Sequence, residues 1–497
     1  MSEKTMLSLS DVAAMTGGRL LGSDSEVSKV VSDSRAIQAG ELFVALKGER
    51  FDGHDFVEDV LRVGAAALVD DAHAARFHGK PVVAAPDTMA ALSALAKRWR
   101  QQFTLPVIAV VGSNGKTTVK EMIATILRAH FGEDAVHATR GNLNNAIGVP
   151  LTLLQLRQTQ RAAVIELGMN HRGETRALAT WTHPDVAVIN NAQREHQEFM
   201  KSVEEVAREH SDVLDALKPQ GCAVINGDDA YANFWEQRAR ELGRKVCRFG
   251  TEESAEVRGV FASEKNGTRL QVFAGRDEAT FHLPLPGRAM AMNALAALAA
   301  TRAVGVPLRA GDGASARRAL AATRAVGVPL ATGATALSSF RAVAGRLNTM
   351  ALSAHWTLID DSYNANPDSV RAAIDVLATR AGERWLVLGD MGEVGAAGAA
   401  FHREVGEYAK AHGVTRLLTL GALARDVQEV FGAGAEHFET MEALRDVLLK
   451  LLAQHDEMIG TVLVKGSRFM QMDKIVTALL ATSDHLQKKD SHAALAH

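Results

Sequence analysis

The chain has 497 residues, 47% hydrophobic and 23% charged, with 55 Lys+Arg against 58 Asp+Glu for a net charge of −3. That length exceeds what one core supports, and about three domains is the prior. The near-neutral balance gives no reason to propose nucleic acid or an anionic membrane as partner, and two cysteines, Cys222 and Cys247, are too few for a disulfide framework or a structural zinc site.

No apolar run approaches the ~18–20 residues of a membrane helix, and the N-terminus has no secretory core with a cleavage site. A cytoplasmic, monomeric protein without membrane insertion is the expectation. Residues 1–103 read as a small α/β domain, with a helix starting at Ser10-Asp11 and another predicted over Thr88–Arg100. Between them Asp33-Ser34-Arg35, the short strand Leu42–Leu46, Lys47-Gly48 and Asp52-Gly53-His54 crowd polar groups at strand ends. Ser32, Ser34 and Arg35 suit an anionic or sugar-like ligand, Arg35 with bidentate reach, and Lys47 is a further candidate for binding substrate.

The second domain is expected over residues 104–337. It opens on an apolar run, Val107–Val111, then Gly112-Ser113-Asn114-Gly115-Lys116-Thr117-Thr118. Apolar residues then recur at Val119, Met122, Ile123, Ile126 and Leu127, the stripe of an amphipathic helix. Strand, glycine loop and helix in this order cradle phosphates on backbone N–H groups at a helix N-terminus. Lys116 is placed for the terminal phosphates and the Thr117 hydroxyl for the accompanying metal. Val110 stands where the longer phosphate-loop pattern has glycine, so the loop is a shortened one.

Three asparagines follow, Asn142, Asn144 and Asn145, in a loop suited to face a ligand. A predicted strand, Ala162–Ile165, ends at Glu166, and ligands of open parallel sheets gather at such strand ends. A carboxylate there can hold Mg²⁺ directly or through water. The next strand, Asp185–Ile189, runs into Asn190-Asn191-Ala192-Gln193-Arg194-Glu195-His196, which puts His196 forward for a metal or phosphate role. Short β segments from Glu252 to Pro286 lead to an Ala/Leu-rich helix near Ala289. The stretch ALAATRAVGVPL then occurs twice, at 297–308 and 319–330, a 22-residue offset that reads as a tandem duplication near 298–330 with one surplus copy.

From 338 to 497 strands and helices alternate again, the pattern of a doubly wound domain. Its strand ends carry Asp361-Ser-Tyr-Asn364-Ala-Asn366-Pro-Asp368, Gly389-Asp390-Met-Gly-Glu393 and Lys465-Gly-Ser-Arg468. The fold class is α/β in three domains, and the last residues, 485–497, are expected to fray.

Together these motifs resemble the Mur ligase family over nearly the whole length. They are DSR…GELFVAL…DGHDF, GSNGKTT, GNLNNAIGVPLTLL, VIELGMNHRGE, DDSYNANPDS, LGDMGE and VLVKGSR. The resemblance implies an N-terminal UDP-binding domain, a central P-loop-type parallel-sheet ATPase domain and a C-terminal Rossmann-like domain. It implies ATP and Mg(II), and the substrates UDP-MurNAc-tripeptide and D-Ala-D-Ala, joined in peptidoglycan precursor synthesis through an acyl phosphate. It implies catalytic roles for Lys116, Glu166, His196 and Arg346. Thr117 and Glu166 are then Mg²⁺ ligands, and His196 serves a second Mg²⁺. Residues Gly112 to Thr118, Asn293, Arg346 and Asp361 face the nucleotide, while Asn364, Asn366, Asp390 and Glu393 line the dipeptide site.

Three departures stand beside the resemblance. His210 occupies the place where the family usually has a carbamylated lysine, Ala289-Met290 replace a usual His-Asn pair, and the duplication follows the same helix. Two other readings therefore share these motifs: a homologue that holds UDP-sugar or ATP but turns over poorly, and a sibling ligase with another amino substrate.

Overall fold

The computed structural model describes residues 5–49, 51–264, 266–304 and 327–482. Among the described residues the chain builds three main sheets, of five, nine and six strands in chain order, with helices between most of the parallel strands. No helix among them is long and apolar enough to cross a membrane.

The first sheet runs Arg19–Leu20, Val82–Ala85, Ala66–Asp70, Glu41–Val44, Lys29–Val31, parallel except at the Arg19–Leu20 edge. Its long helix spans Thr88–Arg100, capped where the Asp87 side chain accepts from Ala90 N–H. Ser8 and Asp11 close a capping box on the earlier helix, Leu9–Thr16, which starts one residue before the expected site.

The central sheet places Val107–Val111 between Ala162–Glu166 and Val186–Ile189, all parallel. Glu166 pairs with Val110 and Ile189 with Val111. This register brings Gly112, Glu166 and Asn190 out at one carboxyl edge, so residues far apart in sequence meet there. The parallel strands are buried on both faces and read as continuous apolar runs. The far edge is an antiparallel meander, Val257–Glu264, Gly267–Ala274 and Asp277–Leu283. Helices Lys116–Phe131 and Arg288–Ala303 pack side by side over the sheet, burying Ile123, Ile126, Leu127, Leu295 and Leu298 in one cluster.

The expected surplus helix–turn over Arg309–Leu330 lies almost wholly outside the described residues. Its described end is core: Val328 and Leu330 are buried, and Val328 N–H donates to Thr301 O at 3.2 Å.

The third sheet runs Asn348–Ala351, Trp356–Asp361, Gly460–Lys465, Glu383–Gly389, Arg416–Leu420, Ala435–Phe438, parallel after the first hairpin. Asp361 and Lys465 are register partners at its carboxyl edge. The first and central sheets share one hydrophobic cluster, and the central and third sheets share another.

Candidate active site

The carboxyl edges of the second and third sheets face each other across a cleft of about 1430 Å³. The phosphate loop forms its floor. Gly115 is left-handed, with φ of 83°. A Cβ there would stand 2.5 Å from Asn293 Oδ1, so only glycine fits both the backbone and the space. Asn190 Nδ2 donates to Asn293 Oδ1 at 3.0 Å and to Asn114 O at 2.8 Å, tying strand end, helix and loop together.

Lys116 opens the helix and folds back over its own loop. Its Nζ touches Gly112 O, donates to Ser113 O at 3.2 Å and lies 3.3 Å from Glu195 Oε2. Glu195 is buried, and its other oxygen sits 2.9 Å from His210 Nε2. Burial pushes the Glu195 carboxyl up, but Lys116, the His210 hydrogen bond and His196 outweigh it and hold the group down at about 2. His210 is thus a buried partner of a carboxylate, on the helix Val203–Ser211.

Thr117 Oγ1 donates to Glu166 Oε1 at 3.2 Å, and Asn144 Nδ2 donates to the same oxygen at 2.8 Å. Glu166 Oε2 is buried and has no hydrogen-bond partner among the described residues. A buried carboxylate oxygen without a partner is costly unless a cation completes it. The donor set of hydroxyl and carboxylate oxygens suits Mg²⁺. The residues present therefore fit the metal that the sequence implies. His196, left-handed at φ 49°, puts Nε2 3.7 Å from Glu195 Oε2 and Nδ1 2.6 Å from Glu393 Oε2. Glu393 is itself left-handed at φ 56°, and the nearby His196 holds its carboxyl below the usual range.

From the third sheet, Lys465 Nζ meets Asp361 Oδ2 at 2.5 Å and Asn364 O at 2.9 Å. Burial nonetheless leaves the Asp361 carboxyl above its ordinary value. Arg346 stacks on the Tyr363 ring at 4.3 Å. Asn366 caps the helix Pro367–Ala378 and exchanges side-chain hydrogen bonds with Asn114 of the phosphate loop. Arg194 crosses the same gap to Asp368 and Glu404.

Residues 113–118, Glu166, His196, Asn293, Arg346, Asp361, the three loop asparagines, Asn364, Asn366 and Glu393 all line this one cleft. Five expected ligand residues, Gly112 among them, do not. Asp390 is buried with Oδ1 accepting from Ala424 N–H at 2.7 Å, so it fixes the start of a helix instead of lining the dipeptide site. Arg35 folds onto Asp33 at 2.6 Å, and neither it nor Ser34 nor Lys47 reaches the cleft. Asn145 lines the cleft yet spends Oδ1 on Gly148 and Ile147 N–H, starting the helix Gly148–Leu153 that the asparagine count hid. Met290 puts a buried thioether 3.8 Å from Asn293 Nδ2. Glu195 and Lys465 line the cleft without having been expected there, although each sits in a strand-end run quoted above.

Residues 26–100 match the Mur ligase family catalytic domain, 110–301 the Mur ligase middle domain, and 345–468 the Mur ligase glutamate ligase domain. The chain is 39% identical over 483 residues to UDP-N-acetylmuramoyl-tripeptide–D-alanyl-D-alanine ligase of Escherichia coli (strain K12), spanning 95% of this chain and 98% of that one. It is 32% identical to the Bacillus subtilis (strain 168) protein of the same name, over 95% and 97% of the two chains. A crystal structure of MurF from Acinetobacter baumannii superposes with a TM-score of 0.84 at 29% identity, covering 97% of this chain and 100% of that one. The fold is also that of MurF ligase from Thermotoga maritima in complex with ADP, with a TM-score of 0.76 at 24% identity over 92% and 98% of the chains.

Proposed function

The chain belongs to the Mur ligase family, and from that premise we propose that it joins D-alanyl-D-alanine to UDP-MurNAc-tripeptide at the expense of ATP. The observation that carries this reading is the meeting of Lys116, Thr117 and Glu166 with the carboxyl-edge loops of the third sheet in one cleft.

The chemistry follows from the weakness of a carboxylate as an electrophile, whose leaving group is oxide. Transfer of the γ-phosphoryl group to a carboxylate oxygen gives ADP and an acyl phosphate. The dipeptide amine then attacks the acyl carbon, the amide forms, the amine loses a proton and inorganic phosphate leaves. Little covalent work remains for the protein beyond positioning and neutralising charge. Lys116 exchanges its carbonyl and Glu195 partners for the terminal phosphates. The loop N–H groups hold the phosphate chain at the helix N-terminus. Thr117 and Glu166 would hold Mg²⁺, with His196 for a second ion, and a bound cation would supply charge screening as two anions approach. Arg346 reaches toward the phosphates from the third sheet, and Asp361, oriented by Lys465, faces the nucleotide. Asn364, Asn366 and Glu393 line the dipeptide side. Ser34, Arg35 and Lys47, outside the cleft, remain our candidates for the UDP end in residues 1–103. The units over 1–103, 104–337 and 338–497 then take UDP-sugar peptide, ATP and dipeptide in turn. One chain builds the whole cleft, which supports a monomer, and the nucleotide-linked substrates support a cytoplasmic site.

Phosphate release with UDP-MurNAc-tripeptide, ATP and Mg²⁺ tests the reading. Release that requires D-Ala-D-Ala supports it. Release with a single amino acid instead points to a sibling specificity, and silence with every amine alongside intact ATP binding points to an impaired homologue.

A further inference from the structure

Three consecutive residues of the strand-end loop serve three different masters. Glu195 faces Lys116 and His210, and His196 faces Glu393. Arg194 turns the other way and grips two helices of the third unit. Its backbone N–H donates to Asp368 Oδ2 at 2.9 Å, and Nη2 donates to Asp368 Oδ1 at 2.6 Å. Nη1 donates to Glu404 Oε2 at 2.6 Å and Nη2 to Glu404 Oε1 at 3.0 Å. The guanidinium also lies 5.2 Å over the Phe401 ring, and Arg371 braces Glu404 at 3.2 Å.

This is a planar fork satisfied by two carboxylates and a ring, a geometry lysine cannot reproduce. Asp368 sits in the first turn of Pro367–Ala378 and Glu404 in the middle of Gly398–Ala411, so the fork reads the relative placement of both helices. The side chain is 18% exposed, which removes most of the screening that weakens surface pairs. The same helix start carries Asn366, whose side chain bonds Asn114 of the phosphate loop. One residue along the chain from the fork, Glu195 holds the phosphate-loop lysine.

We propose that Arg194 is a positioning residue for phosphoryl transfer. By clamping Asp368 and Glu404 it fixes the Gln193–His196 loop, and through Glu195 the place of Lys116, when the third unit is docked. Docking of the amine-delivering unit and alignment of the phosphate-loop lysine are then one event. The chain activates the carboxylate only when the amine site is in position, which limits loss of the acyl phosphate to water. The inference rests on the proposed function for what the third unit delivers.

The test is a double-mutant cycle of Arg194→Gln and Asp368→Asn in the full chain, read by ATP affinity, by kcat for dipeptide-dependent phosphate release and by small-angle scattering. Each single variant is expected to lower kcat at least tenfold with ATP affinity held within about threefold, because the loop N–H groups and Thr117 still bind the nucleotide. The double variant is expected to be no worse than either single one. Arg194→Lys is expected to recover only part of the rate, and Arg194→Gln to enlarge the radius of gyration. Wild-type kcat in Arg194→Gln overturns the inference. So does equal loss of kcat and ATP affinity, or additivity in the cycle. If the wild-type chain shows no dipeptide-dependent turnover, the functional reading fails by itself. Scattering then still judges the clamp: an Arg194→Gln chain as compact as wild type overturns it.

Discussion

Lys116 and Glu195 stand 3.3 Å apart, the phosphate-loop ammonium resting on a buried carboxylate that His210 grips from behind. The lysine is thereby held at the loop before any phosphate arrives, and its pairing is exchanged on nucleotide binding. Lys116→Ala removes the charge that faces the transferring phosphoryl group. Turnover is expected to fall on the order of 10³-fold or more. Glu195 keeps its His210 partner, so the far-ultraviolet circular dichroism spectrum is expected to match wild type. Rates near wild type in this variant contradict the mechanism.

Glu166→Gln keeps the shape and the Oε1 acceptor that Thr117 and Asn144 use, but removes the charge at the unpartnered Oε2. The affinity for Mn²⁺ in the presence of a non-hydrolysable ATP analogue is expected to drop by about 10–100-fold or more. Calorimetric titration reads this without turnover, and unchanged affinity removes Glu166 from the metal site.

Gly115→Ala combines a left-handed φ of 83° with a Cβ 2.5 Å from Asn293 Oδ1 and 2.8 Å from Asn190 Nδ2. The loop must shift, and at least about tenfold loss of ATP affinity is expected, equivalent to roughly 1.4 kcal/mol. Fluorescent-nucleotide titration measures it, and the fold, carried by the sheet beneath, is expected to persist.

His137 is buried in the strand Val136–Ala138, and its Nε2–H donates to Thr152 O at 2.8 Å. Burial pushes the imidazole down to about 4 from its ordinary 6.5, with Arg140 and Arg157 adding to the effect. The folded chain holds it neutral while the unfolded chain takes up a proton below pH 6.5. Its contribution to stability is therefore complete above pH 6.5 and lost as pH falls toward 4, by about 3 kcal/mol over the full range. Thermal unfolding from pH 7.5 to 4 is expected to show that slope in wild type and a shallower one in His137→Gln. Equal slopes contradict the assignment.

Local pattern made much of this legible. The strand, glycine loop and helix over 107–131 followed from an apolar run and a helical stripe. Glu166 and His196 stood out because strand ends are where parallel sheets present chemistry. What stayed hidden depends on long-range pairing. Nothing near Arg194 announces Asp368, 174 residues away, or marks Glu195 as the residue that meets Lys116. Asp390 falls outside the cleft for a physical reason: short polar side chains serve helix starts as readily as ligands, and a strand-end Asp reads the same in either use.

Label transfer tests the central claim most directly. UDP-MurNAc-tripeptide carrying ¹⁸O at both oxygens of the reacting carboxylate is turned over with ATP and D-Ala-D-Ala, and the released phosphate is weighed by mass spectrometry. An acyl phosphate requires one labelled oxygen to leave with the phosphate in every turnover. Phosphate free of label, with product still forming, contradicts the account.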